Sequence, residues 1–266
     1  MKYKYFFTIT AGRTGSAWLA SFLGENLKIK SVHEPLDIDD FGVRMPDIKL
    51  MRTFNMRGNT TDVQKFYKRK LDEISSFSSY AETNHTLSKC GLVENIVEHE
   101  ISAQSCLIVL RRDFAKQCVS YINRGDFRNI TIDWQWYLHQ NYRNNIVSYA
   151  QFRNRGLLGK ALWYVYEMDA RQRYYEQLYA SKVQIISIKL EDLTTEAGAR
   201  KLLEDIGHDG SPTLPETRNQ NRGKPDNALI SRALDIIAKL SYDGDAIVQQ
   251  YLESGRTLHI ERKTPE

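Results

Sequence analysis

Tyr5-Phe6-Phe7-Thr8-Ile9-Thr10-Ala11-Gly12-Arg13-Thr14-Gly15-Ser16-Ala17-Trp18-Leu19 reads as a strand, a short glycine loop and the start of a helix. The apolar and β-branched run over Tyr5–Thr10 marks the strand. Trp18, Leu19, Phe22 and Leu23 then fall on one helical stripe. Gly12 and Gly15 let the backbone turn tightly. Successive N–H groups at the helix start then face outward, with the positive end of the helix dipole behind them. A turn of this kind binds phosphate. Thr14 and Ser16 add hydroxyl donors, and Arg13 adds a charge that is fixed across the physiological pH range. An ATP-type loop needs Lys and then Ser or Thr directly after its second glycine, to reach the terminal phosphates and Mg²⁺. Here Ser16-Ala17-Trp18 follows Gly15, which disfavours kinase or NTPase chemistry.

Working outward, three more segments read as strands: Ser79–Thr83, Cys106–Leu110 and Val183–Leu190. The last two are almost continuously apolar, as befits strands of a parallel sheet covered on both faces. Phe114, Cys118, Tyr121 and Ile122 share a helical stripe after the third strand, and Leu162 to Tyr179 reads as a long amphipathic helix before the fourth. Strands alternating with helices predict an α/β fold, a parallel sheet flanked by helices on both faces. The 266 residues, 41% hydrophobic and 26% charged, suit one domain spanning 1–266, and the chain is long enough to fold without disulfides or metal. The stretch 36–63 has little periodicity and reads as a long loop, either substrate-facing or a plain surface excursion.

No apolar run approaches the ~20 residues that span a bilayer. The opening Met1-Lys2-Tyr3-Lys4-Tyr5-Phe6-Phe7 is followed at once by polar and glycine positions, so it reads as too short for a signal peptide. Cys90, Cys106 and Cys118 lack metal-ligand spacing and read as buried thiols in a reducing compartment, so a cytoplasmic location is expected. A net charge of +4 is too small to argue for nucleic acid, but it favours a small polyanionic ligand.

The loop Gly12-Arg13-Thr14-Gly15-Ser16-Ala17-Trp18-Leu19 resembles the 5′-phosphosulfate loop of sulfotransferases that use 3′-phosphoadenosine 5′-phosphosulfate (PAPS). Arginine at position 13, where the cytosolic phenol and steroid enzymes carry lysine, is similar to the bacterial and carbohydrate-modifying branches. A second stretch, Leu107-Ile108-Val109-Leu110-Arg111-Arg112-Asp113, followed by Ser120, resembles the family's 3′-phosphate site, with an Arg at a strand end and a Ser eight positions later. Arg112 matches that spacing better than Arg111, and its planar fork suits a phosphate. Asp113 is a credible helix N-cap. A third stretch, Ile186-Ser187-Ile188-Lys189-Leu190-Glu191-Asp192-Leu193 followed by residues 199–207, is similar to a strand end and following helix common in the family, where Glu191 and Asp192 read as structural. The three occur in the family's order from residue 5 to about 207. Arg222 and Gly223, within the basic stretch 218–224, are candidates for a loop that closes over the nucleotide in many relatives.

The resemblance implies transfer of the sulfuryl group of PAPS to a hydroxyl or amine of a small-molecule or carbohydrate acceptor, with 3′-phosphoadenosine 5′-phosphate (PAP) as product and no metal. Gly12 to Trp18, Arg112, Ser120, Arg222 and Gly223 would bind the nucleotide, and Arg13 would stabilise the leaving phosphate. A general base is also needed. Glu34 is the first candidate, from comparison with the bacterial carbohydrate enzymes. His85 is the second, since it resembles the position of the catalytic histidine in the Lys-Thr-His of the cytosolic enzymes, although the lysine is replaced by Glu82. The aromatics Trp134, Trp136, Tyr137, Trp163, Tyr164, Tyr166, Tyr174 and Tyr175 read mostly as core, the remainder as an acceptor wall. The alternatives are a P-loop kinase-like phosphotransferase and a non-catalytic nucleotide-binding module.

Overall fold

Strand β1 (Tyr5–Ile9) is buried along its whole length and feeds two helical layers at once. Phe6 points into a core with Trp18, Leu19, Phe22 and Leu23, while Tyr5, Phe7 and Ile9 point into the larger core on the opposite face. This alternation is the period of two of a strand covered on both sides. The computed structural model of the chain describes residues 1–35, 37–127, 137–216 and 226–258.

Helix α1 (Ser16–Leu27) leads to β2 (Lys30–His33), and α2 (Ile48–Arg57) and α3 (Thr61–Ser75) precede β3 (Tyr80–Thr83). Then come α4 (Leu92–Ile96), β4 (Ser105–Arg111), α5 (Phe114–Arg124), α6 (Gly156–Tyr179) and β5 (Gln184–Lys189). The short α7 (Leu190–Leu193), α8 (Glu196–Asp205), α9 (Asn227–Ile237) and α10 (Gly244–Glu253) complete the described elements. The strands form one sheet in the order β2-β3-β1-β4-β5, and every neighbouring pair is parallel. The expected α/β class is therefore observed. α1 and α8 cover one face, and α3 to α6 with α10 cover the other. The chain leaves β1 toward β2 but leaves β4 toward β5. Between these neighbouring strands lies a topological switch point, where open α/β sheets form a crevice at the carboxyl ends. The loop after β1 and Arg112, the residue after β4, both open there.

Three expectations need correction. A fifth strand, β2, lies at a sheet edge with Lys30 and His33 exposed and Val32 as its one aliphatic residue, so it shows no apolar run. The stretch 36–63 is not a long loop, because it contains α2 and the start of α3. Its remaining turn is tied down, with Lys70 donating to Arg44 O (2.9 Å) and Arg69 to Gly42 O (2.6 Å), while Met45 is buried. Finally, α6 is not amphipathic. It is buried on nearly every side, and several of its polar residues pair inside the protein, although Arg171 Nη1 and Nη2 are buried with no hydrogen-bond partner among the described residues. Glu167 and Arg171 pair at 2.7 Å, Glu167 also accepts the amides of Ile146 and Val147, and Gln172 donates to Ile9 O. Trp163, Tyr164, Tyr166, Tyr174 and Tyr175 are core, as expected.

All three cysteines are buried free thiols, and burial pushes Cys106 up to about 12. Among the described residues no helix is long and apolar enough to cross a membrane.

Candidate functional site

Gly12, Arg13 and Gly15 hold left-handed φ values of 95°, 57° and 82°. Gly15 is the N-cap of α1 and has no side chain to satisfy the helix's first amides. A Cβ on Gly15 would lie 2.4 Å from Leu190 Cδ1, so the position needs glycine for space as well as for φ. The loop carbonyls are tied to the protein. Ala11 O accepts from Tyr121 OH and Lys89 Nζ, both at 2.9 Å. Gly12 O accepts from Gln117 Nε2 (2.7 Å) and Tyr121 OH (2.9 Å), and Arg13 O accepts from Arg112 (2.8 Å). The Thr10 and Thr14 hydroxyls bond to each other. With three successive carbonyls fixed by interior donors, the turn is a preformed cradle with its positive side on the crevice.

Two arginines close on that cradle. Arg13 Nε donates to the buried Ser120 Oγ at 3.0 Å. Arg112 holds the Arg13 carbonyl, and its own Nε is buried without a hydrogen-bond partner. Among the described residues no carboxylate forms an ion pair with either. Burial, then Arg124, draws Arg13 down from the usual arginine value, with Asp126 opposing the fall. Arg111 differs. It is paired with Asp169 (3.3 Å) and Glu176 (2.8 Å). Asp113 caps α5 by accepting from Lys116 N (2.8 Å), which fixes the register that sets Ser120 beside Arg13. Glu191 takes a structural contact, accepting from the Asp113 amide at 3.4 Å.

On the β3 side, Glu34 and His85 come together. Glu34 Oε1 accepts the His85 amide at 3.2 Å and lies 3.5 Å from His85 Nε2. His33 Nε2 stands 4.0 Å from Glu34 Oε2. Lys89 Nζ meets His85 Nδ1 at 2.9 Å, and the ring edge of Tyr137 packs on the imidazole with centroids 5.3 Å apart. Burial, then Lys89, pushes His85 well below the usual histidine value. Through Lys89 and Ala11 O, this cluster is joined to the glycine loop.

No protein-family model matches the chain, and no curated protein matches it. Among solved structures, two chains are similar. One is the sulfotransferase domain from the curacin biosynthetic pathway, at 14% identity over 97% of this chain and 99% of that one, with a TM-score of 0.46. The other is the sulfotransferase from Alicyclobacillus acidocaldarius, at 15% identity over 91% and 97%, with a TM-score of 0.45. The chain is similar in structure to two sulfotransferases. At these values the likeness is one of general chain course.

Of the residues singled out from the sequence, Arg13, Arg112 and Ser120 meet in one cluster, and Glu34 and His85 in another. Trp18 belongs elsewhere. Its ring stacks on Phe22 at 5.2 Å and donates to Pro215 O, so its side chain is core and only its backbone faces the loop. Ala17 is half-buried and Ser16 buried on the first turn of α1. Arg222, Gly223, Trp134 and Trp136 lie outside the described residues. Glu82 forms a buried ion pair with Lys70 at 2.7 Å, well away from a catalytic role. Sequence reasoning missed Lys89, Gln117 and Tyr121. The one signal for Lys89 was its place four residues after His85, one turn on in a short helical stretch.

Proposed function

We propose that the chain transfers a sulfuryl group from PAPS to a hydroxyl or amine of a small-molecule or carbohydrate acceptor. The observation that carries this reading is the pair Arg13 and Arg112, without carboxylate partners among the described residues, set around a glycine loop at a helix N-terminus. A buried charged donor such as Arg112 Nε is costly without an acceptor, and a phosphate oxygen would supply one. PAPS supplies an activated sulfuryl group whose transfer leaves negative charge on the 5′-phosphate. Arg13 and the loop amides stabilise that charge, so the protein's contribution is positioned positive charge. Arg112 and Ser120 hold the 3′-phosphate and fix the nucleotide's register. Glu34 accepts the acceptor's proton as the acceptor atom bonds to sulfur, and His85 orients its carboxylate.

Calorimetry with PAP, ATP and GTP, with and without Mg²⁺, tests the reading. PAP should bind without metal, and labelled PAPS should pass its label to a member of a hydroxyl and amine panel. ATP binding that requires Mg²⁺, with no PAP binding, would replace the reading with phosphotransfer. PAP binding without transfer to any acceptor would reduce the chain to a nucleotide-binding module.

A further inference from the structure

We propose that Lys89 is a positioning residue that locks His85 as the Nε2–H tautomer, so that the imidazole donates to Glu34 and leaves Glu34 as the proton acceptor. The functional half of this statement rests on the sulfuryl-transfer reading above; the tautomer itself does not.

The Lys89 side chain is fully buried in the short turn Leu87–Lys89. Its Nζ lies 2.9 Å from Ala11 O, 2.6 Å from His85 O and 2.9 Å from His85 Nδ1. An ammonium has three hydrogens and no lone pair. Two of these partners are carbonyls, which only accept, so the third hydrogen goes to Nδ1. A neutral imidazole whose Nδ1 accepts carries its proton on Nε2. That nitrogen faces Glu34 Oε1 at 3.5 Å, the oxygen that also accepts the His85 amide. The reversed arrangement, with Nδ1–H donating to a neutral Lys89, would set an Nε2 lone pair against a carboxylate oxygen. Two acceptors would then face each other in a buried site, which is the costlier state.

The cations around the imidazole act in the same direction. Lys89, His33, Arg124 and Arg13 all oppose an imidazolium, the contacting Glu34 carboxylate acts against them, and Tyr137 packs on the ring in a T-shaped contact. Burial draws Lys89 well below its usual value, Glu34 opposes that fall, and the three acceptors around Nζ favour the ammonium. With Nδ1 occupied and Nε2 protonated, His85 has no free lone pair with which to take a proton. Lys89 also bonds Ala11 O, so one ammonium fixes the distance between the proton acceptor and the glycine loop.

The test is histidine ¹H–¹⁵N correlation spectroscopy on the full-length, ¹⁵N-labelled protein, with the His85 signal assigned by its loss in His85→Asn. Wild type should show His85 as a neutral Nε2–H tautomer that does not titrate between pH 8 and pH 5.5. A neutral Nδ1–H tautomer, or an imidazolium near pH 7, would overturn the proposal, whether or not a Lys89 variant folds. In Lys89→Met, which keeps the stem but removes the donors, the tautomer preference should be lost and His85 should titrate closer to the ordinary histidine range. The same variant should lose about tenfold or more in kcat with PAP affinity held within about threefold, and an unchanged kcat would overturn the positioning role. If wild type transfers no sulfuryl group at all, the functional reading fails while the spectrum still decides the tautomer.

Discussion

Arg13 and Glu34 hold φ values of 57° and 42°, in a region that residues with a Cβ seldom occupy. Glu34 does so immediately before Pro35, where the backbone is further restricted. Such conformations cost on the order of 1–3 kcal/mol each and persist where surrounding bonds over-determine them. At Arg13 those bonds run from Arg112 to its carbonyl and from its guanidinium to Ser120; at Glu34 they are the His85 contacts. Lys28 and Asn154 share this conformation, but Arg13 and Glu34 are the two such residues assigned to the leaving group and the proton. Arg13→Ala should lower kcat by about 10²-fold or more with a smaller effect on PAP affinity. Arg13→Lys should restore part of the rate. Steady-state kinetics with PAP calorimetry measures both, and intact turnover in Arg13→Ala would remove Arg13 from the catalytic role. Arg13 and Arg112 were legible because glycine spacing and a strand end announce them. Lys89 was not, since a lysine in a short turn gives no sign in sequence that it will be buried.

At the scale of elements, the sequence announces what is apolar and periodic and conceals what is paired. β1 and β4 were visible as apolar runs, whereas β2, with Lys30, Ser31 and His33 around one valine, was not. The polar residues of α6 suggested a solvent face, but they serve an internal ion pair and buried amides instead. The neighbouring α4 carries a comparable group. Glu94 is fully buried, its Oε1 lacks a hydrogen-bond partner, and its Oε2 accepts from Tyr175 at 3.4 Å. Burial pushes its carboxyl up to about 7. The unfolded chain releases this proton near pH 4.3, so between about 4.3 and 7 the native state binds more protons than the unfolded one. Glu94's contribution to stability is therefore fully present below that window and is lost as the pH rises through it. Glu94→Gln stays neutral throughout and should flatten this part of the pH dependence, gaining on wild type as the pH rises from 5 to 7.5. Urea midpoints at pH 5, 6 and 7.5 for both proteins measure it, and parallel curves would contradict the assignment.

The whole molecule brings these elements to a point. A parallel sheet in the order β2-β3-β1-β4-β5 sends its connections apart between β1 and β4, and the glycine loop and Arg112 meet across that gap. The α/β class was legible from the alternation of strands and helices. The pairing of Arg13 with Ser120 was not, because it joins residues 107 apart whose approach depends on the capped register of α5. The central claim is that this junction recognises a nucleotide with both a 5′-phosphate group and a 3′-phosphate, with Arg112 reading the latter. The most direct measurement compares wild type and Arg112→Ala by calorimetry against two ligands, PAP and adenosine 5′-phosphosulfate, which lacks the 3′-phosphate. PAP binding should weaken by roughly 2–4 kcal/mol while adenosine 5′-phosphosulfate binding barely changes. Equal losses for the two ligands, or no loss for PAP, would contradict the claim.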